Sequence, residues 1–436
     1  MLLTLALPIA AVAAVPQTIT QVRRAPQAAR PAASAPVPLF REDATLLPFD
    51  PTLFGRGVAA ADVTLDGRLD FIIATSGGAV LFVNHGDLGF VDESATRLPA
   101  GLNTSFKPIL ADVDGDGDLD LTLLSADLFL PDVLLLADGA GGFGAPTPLP
   151  VTSASAFGVA HASDAEWVDV DGDGDLDLVR SVGESGHAQN AGPASLALND
   201  GAGGLTPRSD FEVATWNDPN VATTGVAFLD VNLDGRQDLF FTRAQPGPGG
   251  ASNLMLLGAG DGTFVDASAS LPVFEDDSFD AIPLDLEGDG DMDLVVANSL
   301  IAISGADSGD VLVNQGFAQG GRVGSFLDAP GAIDEAPTFA EALRLGPIAG
   351  DVDLDGRIDV MMRVHDLPPG GHQPLFLGRG TQFERAIFPT GTMITAGGAF
   401  GDVDGDGDLD LLLTSAGSAA GGTTLGRALL YINQTR

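Results

Sequence analysis

Asp112-Val113-Asp114-Gly115-Asp116-Gly117-Asp118-Leu119-Asp120, running straight into Leu121-Thr122-Leu123-Leu124, is one of seven copies of a single nine-residue pattern. Acidic or amide-type residues stand at positions 1, 3, 5 and 9, with glycine at position 6. The first copy relaxes this to Asp62, Thr64, Asp66, Gly67, Arg68 and Asp70. The third is Asp169, Asp171, Asp173, Gly174, Asp175 and Asp177; the fourth is Asp230, Asn232, Asp234, Gly235, Arg236 and Asp238. The fifth is Asp285, Glu287, Asp289, Gly290, Asp291 and Asp293; the sixth is Asp351, Asp353, Asp355, Gly356, Arg357 and Asp359. The seventh is Asp402, Asp404, Asp406, Gly407, Asp408 and Asp410. Starts lie 50 to 66 residues apart, the spacing of a supersecondary unit repeated along the chain.

Alternate carboxylates in a tight loop converge on one point, and the glycine lets the backbone turn so that the position 7 carbonyl faces inward as well. Hard oxygen donors in this arrangement suit calcium. Position 7 is Arg68, Arg236 or Arg357 in three copies and Asp118, Asp175, Asp291 or Asp408 in the others, as expected if the main chain is the ligand there. An EF-hand would need a bidentate Glu at position 12. That position holds Ile73, Leu123, Arg180, Phe241, Val296, Met362 and Leu413, so each loop instead opens directly into a buried strand. Up to seven calcium ions are expected. The loops at Asp62 and Asp230, with three carboxylates each, should be the weakest.

Half of the 60 acidic residues lie inside these loops, and seven calcium ions would move the formal charge from −40 to −26. Lys107 is the only lysine. Nucleic acid and anionic membrane are therefore excluded as partners, since both need clustered cations. There is no cysteine, so a folded, exported chain must rely on its core and on metal.

Residues 1–15 are an apolar run of signal-peptide length, although no basic residue precedes Arg23. Residues 16–37 are Ala- and Pro-rich and read as a linker. Export to the periplasm, cell surface or medium is the expectation, with no membrane-spanning helix. Residues 38–436 hold the repeats. Each has a strand before the loop, a buried strand after it (Phe71-Ile72-Ile73), a third strand ending near Asn or Gly (Asn84, Asn199, Gly258, Asn314, Gly378, Asn433) and a short fourth (Phe90-Val91-Asp92). Four strands in each of seven repeats predict an all-β, seven-bladed β-propeller. The last repeat stops after its third strand, and Leu39–Thr45 resembles the fourth strands at Phe90 and Phe264. The N-terminal segment is thus expected to pair with residues 429–432 and close the ring.

The run Asp62 to Ile73, with Phe54-Gly55 before it, resembles the FG-GAP repeat of integrin α-subunit propellers and the related VCBS-type repeats of secreted bacterial proteins. Phe400-Gly401-Asp402 and Phe143-Gly144-Ala145-Pro146 echo the name motif. Ala74-Thr75-Ser76, Leu124-Ser125-Ala126 and Leu413-Thr414-Ser415 replace Gly-Ala-Pro after the second strand, which favours the bacterial type. The resemblance implies a calcium-stiffened extracellular scaffold, and cell adhesion is among the roles it suggests.

On that arrangement the metal loops share one face with the third-to-fourth-strand turns. The opposite face is built from longer connections at 181–194, 242–252, 297–310, 363–373 and 414–427. It would carry His161, His187, His365, His372, Arg243, Arg363, Asp366, Trp216 and the run Glu275-Asp276-Asp277. Variable loops on a repeating scaffold are where binding concentrates. No catalytic residue is assigned. The expected function is a monomeric binding or adhesion module for protein or glycan, and the alternative is a polysaccharide lyase or hydrolase using the same face. One lysine and Tyr431, the one tyrosine, supply few groups for such chemistry.

Overall fold

The apolar run that follows each loop is buried on both sides. In the computed structural model, every residue of Asp70–Thr75, Asp120–Ser125, Asp177–Val182 and Asp410–Ser415 is buried. Each of these strands is therefore sandwiched between two neighbours, which explains the unbroken apolar pattern where a half-exposed strand would alternate. The structure describes residues 39–435 apart from 44, 51–52, 54, 88, 128–129, 151–161, 184–192, 213–220, 245–251, 273–276, 300–308, 317–323, 330, 334–343, 365–372, 387, 389–394 and 416–426.

The described strands form seven four-stranded antiparallel sheets. In blade one they are Gly55–Ala61, Asp70–Thr75, Gly78–Asn84 and Phe90–Asp92, in that spatial order. The first strands of successive blades touch one another around an unbroken circuit, so they line the centre and the fold is a seven-bladed propeller. Aliphatic side chains fill the gaps between blades. Between blades one and two, for instance, Ile72, Leu81 and Val83 meet Leu121, Leu123 and Leu135.

The seventh blade is completed from the other end of the chain. Phe40–Asp43 pairs antiparallel with Arg427–Asn433, Phe40 opposite Asn433 and Asp43 opposite Leu430. Phe40 is buried against Phe388 and Phe400, with ring centroids 5.6 and 6.4 Å away. The Gln434 N–H donates to the Leu39 carbonyl at 2.7 Å. Ring closure by the N-terminal segment stands as the sequence predicts, and it caps an edge that would otherwise be open. Trp167 is core, its Nε1 donating to Thr122 Oγ1 of the preceding blade at 3.0 Å.

All seven first strands bulge at the same place, just before the residue five positions ahead of the acidic loop. That position is Gly57, Lys107, Asp164, Gly225, Asp280, Gly346 and Gly397 in ring order. Glycine is required where the ring is tightest. A Cβ on Gly57 would lie 2.8 Å from the Phe106 carbonyl oxygen and 2.9 Å from Lys107 Cα, and one on Gly225 would lie 2.9 Å from the Phe279 oxygen. The charged members pair across blades. Lys107 is bonded to Asp164, which also accepts the Val226 N–H of blade four at 3.1 Å. Arg363 reaches Asp280 at 3.3 Å and donates to the carbonyls of Gly346 and Ala396. Arg363 thus belongs to this central hub and is not the contact on the opposite-face loops that was expected. Burial pushes the neighbouring Glu166 carboxyl up, opposed by Lys107 and reinforced by Asp164 and Asp280.

Candidate functional site

The seven loops share one hydrogen-bond plan. The position 1 carboxylate accepts the N–H of the position 6 glycine at 2.7–3.1 Å in every copy. The position 5 carboxylate accepts the N–H of position 7, which is why arginine and aspartate are interchangeable there. Each position 6 glycine has φ between 84° and 98°, a conformation that a side chain resists.

Position 9 has a second task. Asp70, Asp120, Asp177, Asp238, Asp293, Asp359 and Asp410 are at most 1 % exposed. One oxygen of each accepts the N–H of position 2 at 2.8–3.1 Å. The other accepts the N–H at the end of the third strand at 2.7–2.9 Å. The same aspartate therefore folds the loop and ties it to its blade. Burial nonetheless pushes these carboxyls up, to about 6 for Asp120 and Asp238 and about 7 for Asp177, Asp359 and Asp410, so two backbone donors do not fully compensate the charge.

Three carboxylates come within 4.8 Å of one another in four loops: Asp112, Asp114 and Asp120; Asp169, Asp171 and Asp177; Asp351, Asp353 and Asp355; Asp402, Asp404 and Asp410. Asp112 Oδ1 and Asp114 Oδ1 are buried with no hydrogen-bond partner, the condition a bound cation would relieve. All-oxygen donors of this kind fit a hard divalent ion. In the loops at Asp62 and Asp230, Thr64 and Asn232 replace the position 3 carboxylate. At Asp285, Glu287 bonds to Asp293 and raises its pKa further.

Two loop classes emerge. Copies two, three, five and seven have glycine at position 4 and aspartate at position 7. Copies one, four and six place Leu65, Leu233 and Leu354 at position 4 with φ of 57°, 59° and 57°, a strained setting for leucine. Their position 7 arginines lean on the position 5 carboxylate: Arg68 on Asp66 at 2.5 Å, Arg357 on Asp355 at 3.7 Å and Arg236 on Asp234 at 3.9 Å.

The asparagine ending the third strand ties neighbouring blades, a role that its sequence position alone does not assign. Nδ2 of Asn84, Asn199, Asn314 and Asn433 donates to the position 2 carbonyl of the preceding blade's loop, Val403, Val113, Val231 and Val352 respectively, at 2.7–3.0 Å. Three of them also bond the position 8 carbonyl of their own loop, Leu176, Met292 or Leu409. Blades two, four and six carry Ala137, Gly258 and Gly378 instead. The signal was present as an alternation of Asn with Ala or Gly at the ends of the third strands.

His85 is the one histidine among the described residues, and it bonds Glu93 at 2.8 Å, which Arg97 also holds. His161, His187, His365, His372, Trp216, Asp366, Glu275 and Asp276 lie outside the described residues, with most of the opposite-face loops. Arg243 is on a second strand, its N–H donating to Asn253 Oδ1 at 3.0 Å.

Residues 43–123, 169–241, 230–296 and 351–413 match the FG-GAP-like repeat, and together these segments cover more than half of the chain. The chain belongs to the FG-GAP-like repeat family. Among solved structures, this FG-GAP-like propeller is similar to the BP39L lectin from Burkholderia pseudomallei. The identity is 14 %, with 84 % of this chain and 94 % of that one covered and a TM-score of 0.53. BBS1N in complex with ARL6DN matches at 10 % identity over 91 % of this chain and 98 % of that one, TM-score 0.52. An Agrocybe aegerita lectin, described as recognising non-reducing terminal N-acetylglucosamine, matches at 18 % identity over 76 % and 79 %, TM-score 0.49. No curated protein matches the chain by sequence. Among the described residues no helix is long and apolar enough to cross a membrane.

Proposed function

We propose that this FG-GAP-like propeller is a calcium-stiffened, non-catalytic module that binds a protein or glycan outside the cytoplasm, as a monomer. The calcium part rests on one observation: carboxylates converge in loops where buried oxygens such as Asp112 Oδ1 lack a donor. Bound calcium would neutralise these carboxylates. Positions 1, 3, 5 and 9 would hold it with side-chain oxygens, with Thr64 and Asn232 at position 3 of two loops, and position 7 with its carbonyl.

The binding part is supported by the architecture and by the company it keeps. A metal-tied face fixes the scaffold, while the long connections on the other face are free to vary. A propeller of similar fold, the Burkholderia pseudomallei protein, is a lectin. The export expectation rests on residues 1–15 and on the acidic, cysteine-free composition.

Two measurements test this reading. Calcium titration of chelator-stripped protein should show several ions bound per chain with a rise in melting temperature, and no binding at millimolar calcium would overturn the metal assignment. A glycan array probed with calcium-loaded protein should give calcium-dependent hits. Turnover of an acidic polysaccharide, seen as new reducing ends or unsaturated products, would replace the binding-module reading with the enzymatic one.

A further inference from the structure

The sixth loop differs from the others in what lies over it. Arg379 stands in the turn joining the third and outer strands of blade six, Leu375–Gly378 and Phe383–Arg385. Its Nη1 donates to Asp355 Oδ2 at 3.0 Å and its Nη2 lies 3.6 Å from Asp353 Oδ2. These are the position 5 and position 3 carboxylates, and with Asp351 they form one of the convergent clusters. The guanidinium is held in place from behind. Its Nη1 also donates to the Gly378 carbonyl at 2.7 Å, Nε donates to Glu384 Oε2 at 3.2 Å, and the Arg379 N–H donates to the Gln382 carbonyl at 2.8 Å.

Among the described residues, no other blade places an arginine at this turn position. The same turn position is His85, Asp138, Asp200, Ala259, Gln315 and Gln434 in blades one to five and seven. In blades two and three the equivalent residue is itself acidic. Loop six also carries Arg357, so two guanidinium groups face four carboxylates. Loops two, three, five and seven have five carboxylates each with no arginine among their nine residues. A fixed positive charge on two donor groups opposes a divalent ion at the same carboxylates by direct Coulomb repulsion, and it supplies part of the neutralisation the ion would bring.

We propose that Arg379 is an intrinsic competitor for the sixth loop, bridging Asp353 and Asp355 so that this loop is already partly neutralised while loops two, three and seven take calcium. Loop six then fills after loops two, three and seven, and blade six keeps its loop geometry in low calcium. This rests on the calcium reading above.

The test counts calcium alone, by equilibrium dialysis of the full chain against buffered free calcium, for wild type, Arg379→Gln and the control Arg427→Gln, an exposed arginine away from the loop. Arg379→Gln should bind one more ion per chain at intermediate calcium, tightening one of the weaker steps by about tenfold; Arg427→Gln should match wild type. Adding Asp353→Asn to Arg379→Gln should abolish the extra ion. In the wild-type background, Asp353→Asn alone should leave the intermediate-calcium count unchanged, a result independent of whether the Arg379 variant folds.

Equal counts and affinities in wild type and Arg379→Gln, with calcium bound in both, would overturn the competitor role and leave the calcium reading standing. So would an extra ion that survives Asp353→Asn, or a wild type that loses an intermediate-calcium ion on that substitution. No calcium bound by any variant would overturn the calcium reading, and this inference with it.

Discussion

The loop face and the central hub both crowd carboxylates into little space, yet they solve the problem in opposite ways. At the hub the cations are built in. Lys107 holds Asp164 and Arg363 holds Asp280, each from a different blade, so the charges cancel as the ring assembles. On the loop face the carboxylates are arranged by backbone N–H groups, which fix their geometry and leave much of their charge. Asp177 and Asp410, raised to about 7, record that deficit. One cluster is complete when the chain folds, and the other keeps an uncompensated charge that, on the proposed reading, a cation from outside would neutralise. Loops one, four and six, with arginines against their position 5 carboxylates, stand between the two.

A deletion that leaves both charge systems untouched asks whether either can hold the ring alone. Removing residues 1–46 takes away the strand Phe40–Asp43 and should abolish cooperative unfolding or cause aggregation, whereas removing residues 1–36 should leave the melt unchanged in calcium. Matching melts for the two truncations would mean that the hub and the loops suffice without strand closure.

Chelation acts on the loop face alone. Stripping calcium should lower the melting temperature by more than about 10 °C, because several sites lose a ligand that binds only the folded state. An unchanged calorimetric transition in excess chelator would erase the distinction between the two clusters.

Lys107→Met makes the converse cut. It leaves Asp164, 2 % exposed, without its cation and should cost about 3 kcal/mol, by the same amount with and without calcium. A loss that appears only in chelator would show that the hub depends on the loops. Asn199→Ala removes one tie between adjacent blades and should cost about 1–2 kcal/mol in chemical denaturation, while Ala137→Gly, at the matching place in blade two, breaks no such bond.

The smallest effect is one of pH. Glu166 binds its proton more tightly when folded, because burial, with Asp164 and Asp280 adding to it, outweighs Lys107. Stability from this group is complete below its unfolded pKa of about 4.5 and is lost as pH rises through the higher folded value. In saturating calcium, Glu166→Gln should therefore flatten the decline in melting temperature on going to alkaline pH. A parallel pair of curves would mean that Glu166 is ionised throughout.

Much of this was legible because the loops repeat. The period, the position 6 glycines and the apolar runs after each loop dictate blades, and the missing fourth strand after Asn433 dictates where Phe40 goes. The hub was not legible in the same way, because its charges come from different blades. Lys107, Asp164 and Asp280 occupy one column, five residues before the loop, that elsewhere holds glycine. Only the ring brings that column together, and Arg363 enters from a second strand. Position 9 read from sequence only as a candidate ligand, and its hold on the third strand depends on a contact some 14 to 23 residues away whose register the sequence does not reveal. Arg379 was invisible for the same reason, being 24 residues from the carboxylate it reaches.

The asparagine ties have a consequence of parity. Blades with Asn84, Asn199, Asn314 and Asn433 alternate with blades that lack the residue, but seven is odd, so strict alternation must fail once around the circle. It fails between blades seven and one. Asn433 grips loop six while Asn84 grips loop seven, so blade seven is bolted to both neighbours. Blade seven is also the one assembled from two distant parts of the chain, with no loop joining its outer strand directly to its other three. The mismatch that an odd ring cannot avoid has been placed at its seam, where two successive ties add most.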